Sequence, residues 1–216
     1  MKIVPPSIAI EAITPGAARL IERAGRTCYK SEERSGADTA AAFIAGLVKR
    51  EHLSVLEHAS VTFRIICDRG VSHELVRHRI ASFSQKSTRY CNYSKAAFRS
   101  EITVIEPPDL PEQARYAWLN ACQVAEAAYF EMLSAGCAPQ IARSVLPTCL
   151  ETEVVMTANF REWLHFLELR TAPAAHPQMR EIATKIQHAL QIACPEVFGQ
   201  RVESEQPALF SEEIHP

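Results

Sequence analysis

The chain has 216 residues, of which 47% are apolar and 22% charged, and a formal net charge of −2. That size suits a single domain spanning 1–216 with one good core, and the composition excludes a disordered or fibrous chain. The slightly acidic balance argues against a general binder of nucleic-acid polymers or membranes, so any anion site must be local.

The opening "MKIVPPSIAI" is broken by Pro5 and Pro6 and makes a poor signal peptide. "GAARLIERAGRTCYK" and "DTAAAFIAGLVKRE" carry apolar residues at helical spacing, the second opened by Asp38 as N-cap. "ASVTFRIICD" alternates Val61, Phe63 and Ile65 with Thr62 and Arg64, a strand signature. Gly70 is expected to break the chain before "VSHELVRHRI", a short helix capped by Ser72 that empties into a polar loop. "EITVIEPP" predicts a strand stopped by two prolines.

The long helix "LPEQARYAWLNACQVAEAAYFEMLSAG" places Trp118, Cys122, Ala125, Tyr129 and Met132 on one stripe and ends at Gly136. "PQIARSVLP" reads as a short helix between prolines and "ETEVVMTA" as a strand. Asn159 followed by Glu162 resembles a capping box for "FREWLHFLELR". "HPQMREIATKIQHALQIA" is the last long helix, and the tail after Pro195 is expected to be a loop. Seven cysteines without a C-x-x-C pair read as reduced, mostly buried thiols. No apolar run reaches the ~18 residues of a membrane span, and the expected location is the cytoplasm.

"RHRIASFSQKSTRY" concentrates the chemistry. On a helix Arg77 and Arg79 lie about 200° apart, so both serve one site only where a helix end enters a pocket. Capping a helix C-terminus is the structural alternative for Arg77, His78 and Arg79. The hydroxyls of Ser82, Ser84, Ser87 and Thr88, together with the planar fork of Arg89, suit a phosphate and a polar base. "HELVRH" is no zinc motif, because His73 and His78 are five apart and roughly 140° around a helix, so no metal is expected. Ser87 has no G-x-S-x-G context that would make it a nucleophile.

Arg77-His78-Arg79 followed after seven residues by Ser87 is the signature of the flavin-dependent thymidylate synthases, which this chain resembles. "EHLSVLEH", "ARSVLP", "NFREWLHFLELR" and "AHPQMREIA" resemble that family's other blocks in order, from Ala24 to Phe198. The resemblance implies reductive methylation of dUMP to dTMP, with methylenetetrahydrofolate as one-carbon donor and FAD, reduced by NADPH, as hydride source. It implies FAD contacts at His52, Ser54, Arg77, His78, Arg79, Asn159, Arg161 and His165. It likewise implies dUMP contacts at Glu74, Arg77, Gln85, Lys86, Ser87, Thr88, Arg89, Arg143 and Arg170. Arg170 takes the catalytic role, favouring ionisation at N3 of the uracil ring so that C5 becomes nucleophilic.

The implied fold is α/β in the α+β sense, a largely antiparallel sheet flanked by helices, and not a Rossmann crevice, since no G-x-G-x-x-G follows a strand. The implied assembly is a homotetramer with FAD between subunits. Where many relatives carry Asn-Glu this chain has Ser84-Gln85, and Glu74 stands where an amide is common. Read without the resemblance, Arg170 and Asn159 are helix caps and His165 a core or capping histidine. Two rival functions stay open: a flavoprotein that has lost synthesis, and a small RNA-binding module.

Overall fold

The computed structural model describes residues 1–199. The chain runs β1 (Lys2–Ile3), β2 (Ser7–Ile13), α1 (Ala17–Thr27), α2 (Ala40–Lys49), β3 (Ser60–Asp68), α3 (Arg69–Leu75), β4 (Ala81–Gln85) and β5 (Thr103–Val104). It continues through α4 (Glu112–Ser134), α5 (Pro139–Ala142), β6 (Glu151–Asn159), α6 (Phe160–Arg170), α7 (Pro177–Ala193) and α8 (Pro195–Phe198). Strands β2, β3, β6 and β4 lie in that order in one sheet, antiparallel throughout, and β1 pairs in parallel with β5. This is the expected α+β class, with an antiparallel sheet in place of a doubly wound one.

Alternation explains the sheet's two faces. Val61, Phe63, Ile65 and Cys67 of β3 and Val154, Met156 and Ala158 of β6 are buried against Trp163 and Phe166 of α6 and Met179, Ile182 and Ile186 of α7. Trp163 meets Phe63 edge to face at 5.1 Å and donates its indole N–H to the Val61 carbonyl at 3.1 Å. The opposite face is polar: the hydroxyls of Thr62 and Thr157 are 2.8 Å apart, and Arg64 pairs with Glu11 and Glu153. A second apolar cluster gathers Tyr93, Ile102, Val104 and Leu150 against Cys122 and Tyr129 of α4.

Helix α4 follows its expected stripe. Gly136, at φ 87°, closes it in a Schellman turn, with N–H donors of Gly136 and Cys137 bonded to the carbonyls of Leu133 and Met132. No helix among the described residues is long and apolar enough to cross a membrane.

Several local expectations give way. Helix α2 starts at Ala40 after Thr39, not Asp38, and Thr39 makes no side-chain cap bond because its hydroxyl is drawn to Glu22 at 2.6 Å. Helix α3 starts at Arg69: Asp68, buried at the end of β3, accepts the Val71 N–H at 2.7 Å and caps it in place of Ser72. Gly70 therefore lies inside the helix instead of breaking the chain. Ser82 to Gln85, expected in a loop, belong to β4, whose small hydroxyl side chains tolerate the half-exposed edge of the sheet. Strands β1 and β2 were not anticipated, the β5 segment shrinks to two residues, and 195–198 form a short helix where a loop was expected. The rest of that predicted loop, 200–216, lies outside the described residues.

The cap of α3 gives a first prediction. Asp68→Ala should lower stability by about 1–2 kcal/mol through the lost cap and the buried amide left without an acceptor. An unchanged urea midpoint would contradict that assignment.

Candidate active site

Two helix C-termini converge because each helix grows directly out of a central strand. Asp68 caps α3 at the end of β3, and Asn159 caps α6 at the end of β6 by accepting the Glu162 N–H at 2.9 Å. After Leu75 the chain tightens, with Arg77 N–H bonded to the Glu74 carbonyl and His78 N–H to that of Leu75, before it turns into β4. Arg77 and Arg79 are exposed beyond the helix end, whereas His78, between them, is buried.

Arg170, the last residue of α6, reaches this turn. Its Nε donates to His78 Nε2 at 3.0 Å, Nη1 donates to Glu74 Oε2 at 2.8 Å, and Nη2 lies 3.5 Å from the Glu74 carbonyl oxygen. On the far side of the ring, His78 Nδ1 is 3.4 Å from Glu162 Oε1. The ring packs edge to face on Phe166 at 4.9 Å and lies 6.2 Å from that of His165. Because Nε2 accepts from a guanidinium, the imidazole proton belongs on Nδ1, toward Glu162. The carboxylate of Glu74 thus stands opposite an arginine that balances it.

Burial, reinforced by the Arg170 and His165 charges, lowers the His78 pKa from 6.5 to about 4, while burial raises that of Glu162. Between pH 6.5 and about 4 the unfolded chain holds the His78 proton and the folded chain does not, so this group erodes stability as pH falls through that window. Glu162 acts with opposite sign, since its folded carboxyl is protonated at a higher pH than the unfolded one. His78→Gln should therefore lose less of its urea midpoint than wild type from about pH 7 to about pH 5. Identical slopes would contradict the buried neutral imidazole.

A second feature is a cleft of about 510 Å³ whose lining includes the polar residues Arg69, His73, Thr88, Gln140, Arg143 and Ser144. Helix α3 supplies Arg69 and His73, Thr88 follows β4, and Arg143 opens the 3-10 turn after α5. Arg143 Nη1 donates to the buried Thr88 hydroxyl at 3.2 Å. The Arg69 N–H is tied to the carbonyls of Thr148 and Leu150, both at 3.1 Å, and its Nη1 is buried without a hydrogen-bond partner. Such a group, in a wall with a second guanidinium and several hydroxyls, suits an anion.

The other anticipated residues are placed as follows. Gln85 Nε2 donates to the buried hydroxyls of Ser72 at 2.9 Å and Thr152 at 3.2 Å, and Lys86 pairs with Glu151. Ser87 Oγ accepts the Arg89 N–H at 3.3 Å, and the Arg89 guanidinium lies 5.4 Å from the centroid of the exposed Tyr90 ring. His52 and Ser54 are exposed at the 3-10 turn Leu53–His58, which packs on α6. Arg161 of α6 bonds Glu57 of that turn at 2.6 Å, and His165 is exposed one turn further along.

Thus Glu74, His78 and Arg170 form one cluster and Thr88 and Arg143 another, joined through α3. Lys86 and Arg89 are engaged elsewhere. Arg69, His73, Gln140, Ser144 and Glu162 were not singled out as site residues. Reading Asp68 in place of Ser72 as the cap of α3 would have put Arg69 at the head of that helix, and Glu162 entered only as the third residue of the α6 cap.

Comparison with known proteins identifies the family and the fold. The family model described as thymidylate synthase complementing protein matches residues 9–196. The chain is 36% identical over 220 residues to the flavin-dependent thymidylate synthase of Mycobacterium sp. (strain JLS), covering 91% of this chain and 84% of that protein. It is 36% identical over 202 residues to the protein of that name from Corynebacterium glutamicum, covering 85% and 79% of the two chains. The fold is similar, at TM-score 0.77 and 24% identity, to a UMP/dUMP methylase from Streptomyces cacaoi solved with 5-Br dUMP, over 92% of this chain and 96% of that one. The chain belongs to the flavin-dependent thymidylate synthase family of enzymes.

Proposed function

We propose that this enzyme methylates dUMP to dTMP, taking the one-carbon unit from methylenetetrahydrofolate and reducing equivalents from NADPH. The observation that carries the reading is the convergence of Glu74, His78 and Arg170 beside a cleft walled by Arg69, Thr88 and Arg143. A nucleoside monophosphate needs both features: an anion cradle for its phosphate and a cation for its base. Arg143, Thr88, Ser87 and Arg69 bind the phosphate end, while Glu74, Arg77, Gln85 and Arg170 serve the sugar and uracil; Lys86 and Arg89 would join them by leaving Glu151 and Tyr90.

Seven of the eight residues assigned to FAD fit that group; the eighth, His78, is buried and bonded to Arg170. Arg77, Arg79 and Arg161 are exposed cations, His52, Ser54 and His165 expose polar groups nearby in the chain or fold, and Asn159 sits at the head of α6. Guanidinium groups and short polar side chains are what a pyrophosphate-bearing ligand requires. FAD bound there would supply the hydride that completes the methyl group. The chain's own part is to hold dUMP by its phosphate and to keep the positive charge of Arg170 beside N3, which lowers the N3 pKa so that the proton is given up to water and the resulting anion carries electron density to C5.

The FAD residues lie on the open surface of one chain, and the exposed apolar side chains Val76, Ile80 and Leu169 flank the arginine cluster. Helix α4 likewise exposes Tyr116 and Val124. Apolar groups rimmed by charge favour burial against another copy, which supports a homotetramer whose subunits share the flavin. Free thiols at all seven cysteines accord with a reducing, cytoplasmic setting.

The test is the absorption spectrum of the purified protein, followed by NADPH oxidation with and without dUMP and by dTMP analysis once the folate is added. A flavin spectrum with folate-dependent dTMP is expected. A colourless protein that takes up no added FAD would overturn the reading.

A further inference from the structure

We propose that His78 is a positioning residue for Arg170: a neutral imidazole, held by Glu162 in its Nδ1–H form, offers Nε2 as the acceptor that fixes the Nε edge of the guanidinium. The inference rests on the reading of Arg170 as the group that faces the pyrimidine. It assigns His78 a role inside the chain, distinct from contact with a flavin.

The geometry carries it. Arg170 is held on two edges, by His78 Nε2 at 3.0 Å and by Glu74 Oε2 at 2.8 Å, and its Nη2 has only the longer 3.5 Å contact with the Glu74 carbonyl. A guanidinium clamped in this way presents its least engaged nitrogen in one direction. His78 is in turn fixed by Glu162 at 3.4 Å and by the Phe166 ring at 4.9 Å, with both His78 and Glu162 buried. Four groups therefore form a line from α6 back to α6: Glu162, His78, Arg170 and, across the gap, Glu74 of α3.

The two clamps differ in charge, and the difference matters. A second carboxylate in place of the imidazole would leave the cluster net negative and oppose ionisation at N3. A protonated histidine would repel the guanidinium and could not accept from it. A neutral imidazole orients Arg170 without reducing its charge. Burial and the charges of Arg170 and His165 of α6 oppose a proton on Nε2 and hold the imidazole neutral; Glu162, also of α6, lies 3.4 Å from Nδ1 with a carboxyl that burial pushes toward its own neutral form, and Glu74 of α3 is taken up by Arg170.

Asparagine reaches the Nδ1 position of histidine and glutamine the Nε2 position, so the two variants separate the two ends of the ring. His78→Asn should lower the kcat for dTMP formation on the order of 10- to 100-fold, as expected when a reacting group is misplaced, with FAD content and KM for dUMP little changed. It should also raise the N3 pKa of bound 5-fluoro-dUMP, read by ultraviolet difference titration, by about one unit. His78→Gln should recover most of both effects. Wild-type values for His78→Asn, or equal impairment in both variants, would overturn the proposal. Nitrogen-15 spectra of the wild-type protein add an observable that needs no variant: the Nδ1–H tautomer of His78 near neutral pH is expected, and the Nε2–H tautomer would overturn the assignment. A wild type that makes no dTMP would sink the functional reading instead, and the tautomer would still decide the part played by His78.

Discussion

Arg170→Ala is expected to abolish measurable dTMP formation, a loss on the order of 10²- to 10³-fold or more, while the purified protein stays yellow. Arg170 sits at the C-terminal end of α6 with its guanidinium divided between His78 and Glu74. Removing it deletes the positive charge that would stabilise an N3 anion. Of the residues assigned to the flavin, Asn159 and Arg161 lie at the other end of α6 and His52 and Ser54 at the turn that packs on it, so flavin content should survive. The Glu74–Arg170 pair is partly open to solvent, so its loss should cost little stability, about 1 kcal/mol or less. Arg170→Lys keeps a charge but loses the two-edged fork and should recover only a small part of the activity. Tritium release from C5-labelled dUMP reports the step directly, and wild-type release in the alanine variant would refute the role. The alternative of a simple helix cap predicts the reverse pattern: a lowered urea midpoint with turnover preserved.

Much of this molecule was legible where local pattern and tertiary packing agree. The alternation in 60–68 and 151–159 predicted both central strands, because their inner faces contact one core and their outer faces carry Thr62, Arg64, Glu153 and Thr157. The stripe of α4 and the Asn159 cap were equally readable. β4 was not, although Ala81 and Phe83 alternate with Ser82 and Ser84. Serine favours turns and weakens the strand signal, and pairing with β6, more than 65 residues away, supplies the order that propensity lacks. The same limit applies to the site. Arg77, His78 and Arg79 look alike in sequence as a cationic run. Only the early start of α3, at Arg69 with Asp68 as its cap, places the turn so that His78 goes inward and its neighbours outward. The Glu74–Arg170 contact spans 96 positions and depends on two helix ends meeting, which no local spacing encodes. Arg69 was passed over for a related reason: beside a glycine it resembles a surface residue, and its importance lies in Thr148 and Leu150 holding its backbone.

The cleft yields the second large effect. Arg143→Ala and Arg69→Ala should each raise the KM for dUMP about 10- to 100-fold, the range set by one charge-assisted hydrogen bond of about 1.5–3 kcal/mol. Arg143 is exposed except for its 3.2 Å bond to Thr88, so its replacement should leave the fold intact. Arg69 differs, because one of its terminal nitrogens is already buried without a partner. A ligand anion would satisfy that nitrogen, which makes the free protein bear a desolvation cost that binding relieves. Two consequences separate this account from a merely structural arginine. Binding of deoxyuridine, which lacks the phosphate, should be nearly the same in wild type and in both variants, whereas a general collapse of the site would weaken nucleoside and nucleotide alike. Arg69→Ala should also fold as stably as wild type, since it removes an unpaired buried group, yet gain less thermal stability from saturating dUMP. Equal losses for nucleoside and nucleotide would show that the phosphate is held elsewhere, and Lys86 and Arg89 would then have to leave Glu151 and Tyr90 to meet it.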